Sequence, residues 1–253
     1  DALQNLGNLL HDLERFDEAE KRYKQVLEID PDHASARHML AATVGETTAS
    51  APRDYVERLF DSYALRFESS LVDTLGYRIP TLLTQIILQE SKSDSLGSVV
   101  DLGCGTGLLG DSIKGKADRL EGVDLSKEMI TIAESKNIYN QLIKKDLLEY
   151  LSEAELGFDY FIATDVFVYI GDLSEIFRLI KYRNGKGGKL AFSIEHRDCE
   201  DFFLETSGRY SHSERYVENL CDEFGYKLLH FQTAPIRKEK DEFIDGRLYL
   251  LSF

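Results

Sequence analysis

No apolar run in this sequence approaches the roughly 18 to 20 residues that cross a bilayer, so no membrane-spanning role is expected. Basic charge is also short. Thirty lysines and arginines stand against forty-five acids, a net charge of −15. Nucleic-acid binding usually needs a basic face that displaces counterions from phosphate, and no Lys/Arg cluster in the chain is dense enough to form one. Nucleic acid is therefore not an expected partner. Cysteine is scarce: there are three, and none has CxxC spacing. Neither a disulfide framework nor a zinc site follows, and no His/Asp/Glu cluster has ligand spacing, so no metal is expected. The start is polar and lacks the basic and apolar regions of a signal peptide, which makes a reducing cytoplasm the expected home. The 253 residues, 43% hydrophobic and 30% charged, have the profile of a soluble globular protein with one large domain and room for a small appendage.

What is present begins with helical spacing. In "ALQNLGNLLHDLERFDEAEKRYKQVLEIDP", Leu3, Leu6, Leu10 and Leu13 fall on one helical face, and Ala19, Tyr23, Val26 and Leu27 on another. Gly7 and Ala19 are small where two helices would cross, and Pro31 closes the unit. These marks resemble a tetratricopeptide repeat (TPR). "ASARHMLAATV" (34–44) looks like the first helix of another repeat that is not completed. About three repeats are needed to bury a continuous solenoid core, so this piece is expected to continue an array begun before Asp1 or to pack on the next domain. A plain helical hairpin used as a prop is the simpler alternative. The resemblance implies a protein partner or self-association through these helices. "GETTASAP" (45–52) is small, polar and ends in proline, and reads as a linker. The expected organisation is a repeat unit over 1–45, a linker over 46–52 and a main domain over 53–253.

The main domain opens with a mostly helical stretch, 53–92, and then changes pattern. Strands are expected at Ser98–Leu102, Leu120–Asp124, Gln141–Lys144, Phe158–Ala163, Lys189–Ile194, Lys227–Gln232 and Leu248–Phe253, with helical pieces between the first six. This alternation predicts an α/β fold, a doubly wound, mostly parallel seven-stranded sheet covered on both faces. The polar connection "APIRKEKDEFIDG" before the last strand has no helical period and predicts an antiparallel hairpin at one edge.

A doubly wound sheet holds its ligand at the carboxyl ends of the strands, where "VVDLGCGTGLLG" (99–110) falls. Gly105, Gly107 and Gly110 have the spacing of a dinucleotide fingerprint, a weak signal alone. Two features oppose NAD. Asp101 puts a carboxylate beside the loop, where it would repel a pyrophosphate but suits a cationic amino-acid end. Gly103 also begins the turn too early. "VVDLGCGTG" instead resembles the first motif of the class I S-adenosylmethionine-dependent methyltransferases, a Rossmann-like fold, and the later motifs follow in order over about 55–253.

That resemblance implies S-adenosylmethionine as cofactor and S-adenosylhomocysteine as its product. It places Asp101, Gly103, Cys104, Gly105 and Gly107 in the binding loop. In "GVDLSKEM", Asp124 would accept both ribose hydroxyls, with Leu125 and Met129 on the adenine. Asp146 and Leu147 of "KKDLLEY" would read the adenine edge, and Thr164 to Phe167, including Asp165, would lie beside the sulfonium. "YVERLFDSYALRF" resembles the helical lid of related small-molecule methyltransferases, here Phe60, Tyr63 and Phe67 within 53–92.

No catalytic residue can be named from the chain. Methyl transfer asks a protein chiefly for proximity and orientation, and a base only where the acceptor must lose a proton. Residues expected around the acceptor are Asp165, Tyr169, Glu195, His196, Arg209, Tyr210 and His212. "TDVFVY" replaces the Asn-Pro-Pro-Tyr of enzymes that act on amide-like nitrogens, which removes one acceptor class. The expected acceptor is a small molecule or a protein side chain. The alternative is a non-catalytic cofactor-binding or scaffold module under an interaction domain.

Overall fold

The computed structural model describes residues 2–70, 76–91, 93–153, 155–239 and 242–253. Residues 71–75 and 92 of the expected helical stretch lie outside these, as do Asp1, Ala154, Lys240 and Asp241. Three helices open the chain, α1 (Ala2–Asp12), α2 (Phe16–Ile29) and α3 (Ala34–Val44). They pack around Leu10, Ala19, Tyr23 and Met39. Gly7 permits the close crossing of α1 and α2, because a Cβ there would stand 2.7 Å from the Tyr23 ring. Helix α3 ends on Gly45 in the left-handed region.

Helices α4 (Arg53–Tyr63) and α5 (Ile79–Glu90) precede the sheet. Its strands are β1 (Ser98–Leu102), β2 (Arg119–Asp124), β3 (Gln141–Lys144), β4 (Tyr160–Ala163), β5 (Lys189–His196), β6 (Phe202–Leu204), β7 (Tyr210–His212), β8 (Lys227–Glu239) and β9 (Glu242–Ser252). The helices between them are α6 (Leu108–Ile113), α7 (Lys127–Ser135), α8 (Leu147–Glu153), α9 (Ser174–Arg183) and α10 (Glu214–Phe224). Strands β3-β2-β1-β4-β5 run parallel, and β9 lies antiparallel between β5 and β8, the expected hairpin. Chain order reverses between β1 and β4, so ligand binding belongs outside their carboxyl ends. Helices α8, α9 and α10 cover one face, and α5 and α6 the other. Among the described residues no helix is long and apolar enough to cross a membrane.

Among the described residues two of the nine strands are additional to the seven that the sequence predicts. Each of β6 and β7 has three residues, too few to show a period. Strand β7 pairs with the last two residues of β5, Glu195↔Ser211 and His196↔His212. The other edge of Glu195 is taken by Gly246 of β9, so β7 occupies the edge that β4 vacates after Ala163↔Phe192. The β6–β7 hairpin therefore stands over the carboxyl end of the sheet.

The stretch expected as a linker connects α3 to α4, but as a strap fixed along its length. Gly171 N and Asp172 N donate to Ala49 O at 2.9 and 2.8 Å, and Ala51 N donates to Tyr169 O at 3.0 Å. Leu204 N donates to Thr47 Oγ1 at 3.3 Å, and the Thr48 and Tyr210 hydroxyls share a hydrogen bond of 2.5 Å. Ala41, Ala42, Ala51, Val168, Tyr169, Leu204 and Tyr210 form one apolar cluster across this junction.

Candidate active site

A cavity of about 480 Å³ opens at the carboxyl end of the sheet, within the size range of small-molecule sites. Across the strand order its wall runs from Asp146 and Leu147 after β3, through Asp124 and Leu125 after β2 and Gly103 to Gly105 after β1, to Thr164 to Val166 after β4 and Arg209. Helix α4 closes the open side. Its aromatic stripe and the segment beyond it bring Phe60, Tyr63 and Phe67 to the wall, so all three residues of the expected lid face the cavity. Polar contacts on the outer side of this segment join Glu57 to Lys144 at 2.7 Å, Asp61 to Ser126 Oγ at 2.6 Å and Glu68 to Lys136 at 2.6 Å.

At the β1–β2 end the turn is fixed by backbone bonds. Gly103 N and Cys104 N both donate to Val123 O, at 2.7 and 3.0 Å. Gly105 has φ 53°, and its absent Cβ would point toward Phe67, 3.9 Å from the ring, leaving open the space between turn and lid. Asp124 receives Gly105 N on one carboxylate oxygen and Ser126 N on the other, both at 2.8 Å. Burial pushes its pKa up to about 6, against the pull of the Ser126, Gly105 and Leu125 N–H groups. Asp146 caps α8, with Oδ1 accepting from Leu148 N and Glu149 N at 2.9 and 3.1 Å, and still borders the cavity.

The opposite end is a network of buried charge. Arg237 is 2% exposed and bridges two acids, donating to Glu195 Oε1 at 2.5 Å and to Asp165 Oδ1 at 3.3 Å. Asp165 has φ 59°, unusual without glycine, and its N–H donates to Ser193 Oγ at 2.9 Å. Burial raises the Asp165 carboxyl, and the Arg209 charge opposes the rise. Arg209 faces the cavity. Its Nε donates to the Tyr169 hydroxyl at 3.3 Å, and its guanidinium lies 5.8 Å from the Tyr169 ring centre and 3.9 Å from Glu195. Tyr77 also lines this end, its phenol held well above the usual range by burial and the Asp165 charge.

Other expected site residues stand off the wall. Asp101 lies fully buried behind the turn. Its Oδ2 accepts from the Tyr139 hydroxyl at 2.6 Å, its Oδ1 has no partner, and burial brings it to about 7. Gly107 faces the Tyr139 ring, which a Cβ would approach to 3.2 Å. Met129 is wholly buried in α7 and is core. Cys104 touches the cavity, but burial holds its thiol well above the usual range, so it is no nucleophile.

Tyr210, His212 and His196 are corrected as acceptor contacts. Side chains alternate along a strand, so with Arg209 turned to the cavity Tyr210 points back to the strap. His212 Nε2 is bound by the carbonyls of Ile170 and Gly171 at 3.0 and 2.9 Å, and burial lowers its pKa to about 4. His196 faces an outer hollow with Asp198, Cys199, Glu214 and Arg247. Glu195 is off the cavity wall, buried beside Arg237 and Arg209. Among residues the sequence did not single out are Arg53, Val56, Leu59, Tyr77 and Pro80 on the wall and Arg237 behind it. The pairing register of β8 with β9 shifts between Pro235 and Lys238, and Ile236 and Arg237 are consecutively buried there, against the period-2 pattern. No spacing in the sequence signals that.

The family model of a methyltransferase domain matches residues 75–231, and that of a tetratricopeptide repeat matches residues 1–33. The chain belongs to the methyltransferase domain family. Among curated proteins it is similar to a ubiquinone biosynthesis O-methyltransferase of Ralstonia nicotianae, 28% identical over 115 residues that make up 44% of this chain and 48% of that one. It is also similar to an uncharacterized methyltransferase of Bacillus mycoides, 27% identical over 139 residues, 53% of this chain and 65% of that one. The chain thus spans about half to two thirds of the length of these relatives. Among solved structures it is similar in fold to the magnesium protoporphyrin IX methyltransferase of Synechocystis PCC 6803 with bound SAH (TM-score 0.57, 15% identity, 79% of this chain and 98% of that one). A similar likeness is to an S-adenosylmethionine-dependent methyltransferase of Clostridium acetobutylicum (TM-score 0.55, 18% identity, 77% and 99%).

Proposed function

We propose that the protein is an S-adenosylmethionine-dependent methyltransferase whose acceptor, a small molecule or a single protein side chain, carries an acidic group held by Arg209. The observation that carries this reading is one cavity bordered by the glycine turn, Asp124 and Asp146 at one end and by a guanidinium at the other. The residues fit the cofactor. The turn leaves open the space that a Cβ of Gly105 would reach into. Three acids border the cavity, Asp124, Asp146 and Asp165, which suits a ligand with a cationic end.

When bound, the cofactor supplies an electrophilic methyl on its sulfonium. The chain supplies placement. Asp124 would accept from the ribose hydroxyls on the lone pairs that Gly105 and Ser126 leave open, and Leu125, Leu147 and the turn would hold the adenine. Phe60, Tyr63 and Phe67 keep water from the reacting atoms. Arg209 presents a planar fork of donors to a carboxylate or similar acid, braced from behind by the Tyr169 hydroxyl. Asp165, raised by burial, accepts the proton where the acceptor is an ammonium or a phenol; a carboxylate or thiolate acceptor needs no base. The excess of acid over the whole chain opposes a phosphate backbone as acceptor. The repeat helices serve a protein partner or self-association.

Cell extract incubated with protein and methyl-labelled cofactor, then screened by mass spectrometry, should reveal a metabolite or protein that gains one labelled methyl group. Arg209→Ala should lower turnover of that acceptor by about tenfold or more while S-adenosylhomocysteine affinity stays unchanged. Labelling of an oligonucleotide, or full turnover by Arg209→Ala, would overturn the reading.

A further inference from the structure

The repeat helices and the acceptor end meet at one residue pair. His38, in the middle of α3, is 2% exposed, and its Nε2 lies 2.9 Å from the carbonyl oxygen of Gly208. A carbonyl only accepts, so His38 carries its proton on Nε2 and donates it. Gly208 is the residue before Arg209 and sits at the tip of the β6–β7 hairpin, where Gly208 N donates to Glu205 O and Glu205 N to Arg209 O. Its φ is 77°, and a Cβ on it would stand 3.0 Å from the Tyr55 hydroxyl and 3.1 Å from Met39 Sδ. The His38 ring packs 4.7 Å from that of Tyr55 and 6.2 Å from that of Tyr210. Only the backbone of the hairpin tip fits into this seat.

We infer that His38 is a positioning residue that sets the guanidinium of Arg209 through the Gly208 carbonyl, so that the third repeat helix is the outer support of the acceptor end. This rests on the reading of Arg209 as the acceptor's anchor. The placement of Arg209 follows from three attachments. Gly208 is held by α3 on one side, and Glu205 and the strap hold the hairpin on the other. The third is the Tyr169 hydroxyl that receives Arg209 Nε, and the Tyr169 backbone is itself tied to Ala51 of the strap. A peptide plane that turns at Gly208 swings the Cα–Cβ bond of the next residue, and a side chain as long as arginine magnifies that swing at its tip. The glycine turn does not hang from this chain of support, since it is pinned to β2 and Asp124. Loss of the His38 bond should therefore disturb Arg209 and spare cofactor binding. An apolar filler of the same core position would not have that selectivity.

The test reads Arg209 directly in the full chain. The Nε–H resonance of Arg209 is assigned by its disappearance in Arg209→Lys, and its exchange with water is measured. In His38→Ala this exchange should quicken by about tenfold and the resonance should move, while calorimetric affinity for S-adenosylhomocysteine stays within about twofold of the parent. His38→Gln, whose amide reaches the same carbonyl with a donor, should restore both. If His38→Ala does not fold, Gly208→Ala probes the same seat with His38 kept, because a left-handed alanine is strained there and its Cβ presses on Tyr55 and Met39, so the tip should shift and the Arg209 signal move. An Arg209 resonance and exchange rate unchanged in the folded variant that is read would overturn the inference. The underlying reading fails differently: full turnover of the labelled acceptor by Arg209→Ala, with the His38 effect on the resonance intact, would remove the anchor role and leave the coupling.

Discussion

The two ends of the cavity are built on different plans. At the end proposed for the cofactor each group comes from the end of a strand or the turn that follows it, β1 for Gly105, β2 for Asp124 and β3 for Asp146, and each is held by hydrogen bonds of the main-chain N–H groups nearby. At the end proposed for the acceptor Asp165, Glu195, Arg209 and Arg237 come from the turn after β4, from β5, a hairpin tip and a bulged edge strand, with helix α3 behind. The first plan is local and made mostly of main-chain bonds; the second is tertiary and made of side-chain charge. A fold can thus keep one end fixed while the other is rebuilt from loops and added domains.

The largest expected effect lies in the charged end. Arg237→Ala leaves the buried acids Asp165 and Glu195 without the cation that bridges them, and breaking such a pair costs about 3–5 kcal/mol. Urea denaturation should show a midpoint lowered to match. Arg237→Lys should recover only part, since an ammonium lacks the fork that spans both carboxylates. A midpoint equal to the parent's in Arg237→Ala would mean that the two ends are not held differently after all.

Next is the cofactor end. Asp124→Ala removes two acceptors of ribose hydroxyls, about 1.5–3 kcal/mol each at most, and S-adenosylhomocysteine affinity should fall by at least about tenfold in calorimetry. Unchanged affinity would sink the ribose assignment. The same carboxylate predicts a pH dependence. Burial raises Asp124 to about 6 in the free protein, while hydroxyl donors favour the ionised form. Affinity should therefore be full above pH 6 and decline as the pH falls through it, because binding must then expel a proton. Asp124→Asn carries no proton to expel, so its weaker affinity should be flat over the same range; a parallel decline in both would assign the titration to another group.

How much of each end was legible follows from the same contrast. Glycines at 103 and 105, and acids at 124 and 146, stand at fixed distances from strands whose apolar runs are plain, so motif and fold arrive together. Asp101 was legible as an acid of the motif beside the loop but not as lying behind the turn, which depends on Tyr139 reaching back to it. Arg209 was found because it sits in a loop that had to lie near the site, and Tyr210 and His212 were drawn in with it. Only the pairing of β7 with β5 decides which of these neighbours face the cavity. Arg237 left no trace, because the register shift that accompanies its burial breaks the period-2 pattern. The composition of 46–52 reads as a linker, yet small polar residues suit a strap fixed by main-chain bonds as well as a loose tether, and the sequence does not separate the two.

The smallest effect expected concerns the segment that touches both ends. Helix α4 has no fully buried residue, and Leu65 just beyond it is 93% exposed, so its hold on the domain is weak. Phe67 stands over the glycine turn, while the Phe60 ring meets that of Tyr169 edge-on at 5.2 Å. If α4 must lift for cofactor to leave, bound cofactor opposes the lifting by mass action. With S-adenosylhomocysteine at ten times its Kd, amide exchange across residues 55–70 should slow by about tenfold. Residues 202–212 of the hairpin should not change, because their support runs to α3 and the strap rather than to the glycine turn. Equal exchange over 55–70 with and without ligand would make α4 a fixed wall. Slowing in both segments would show that the two ends close as one, and the contrast between them would then hold for their construction and not for their motion.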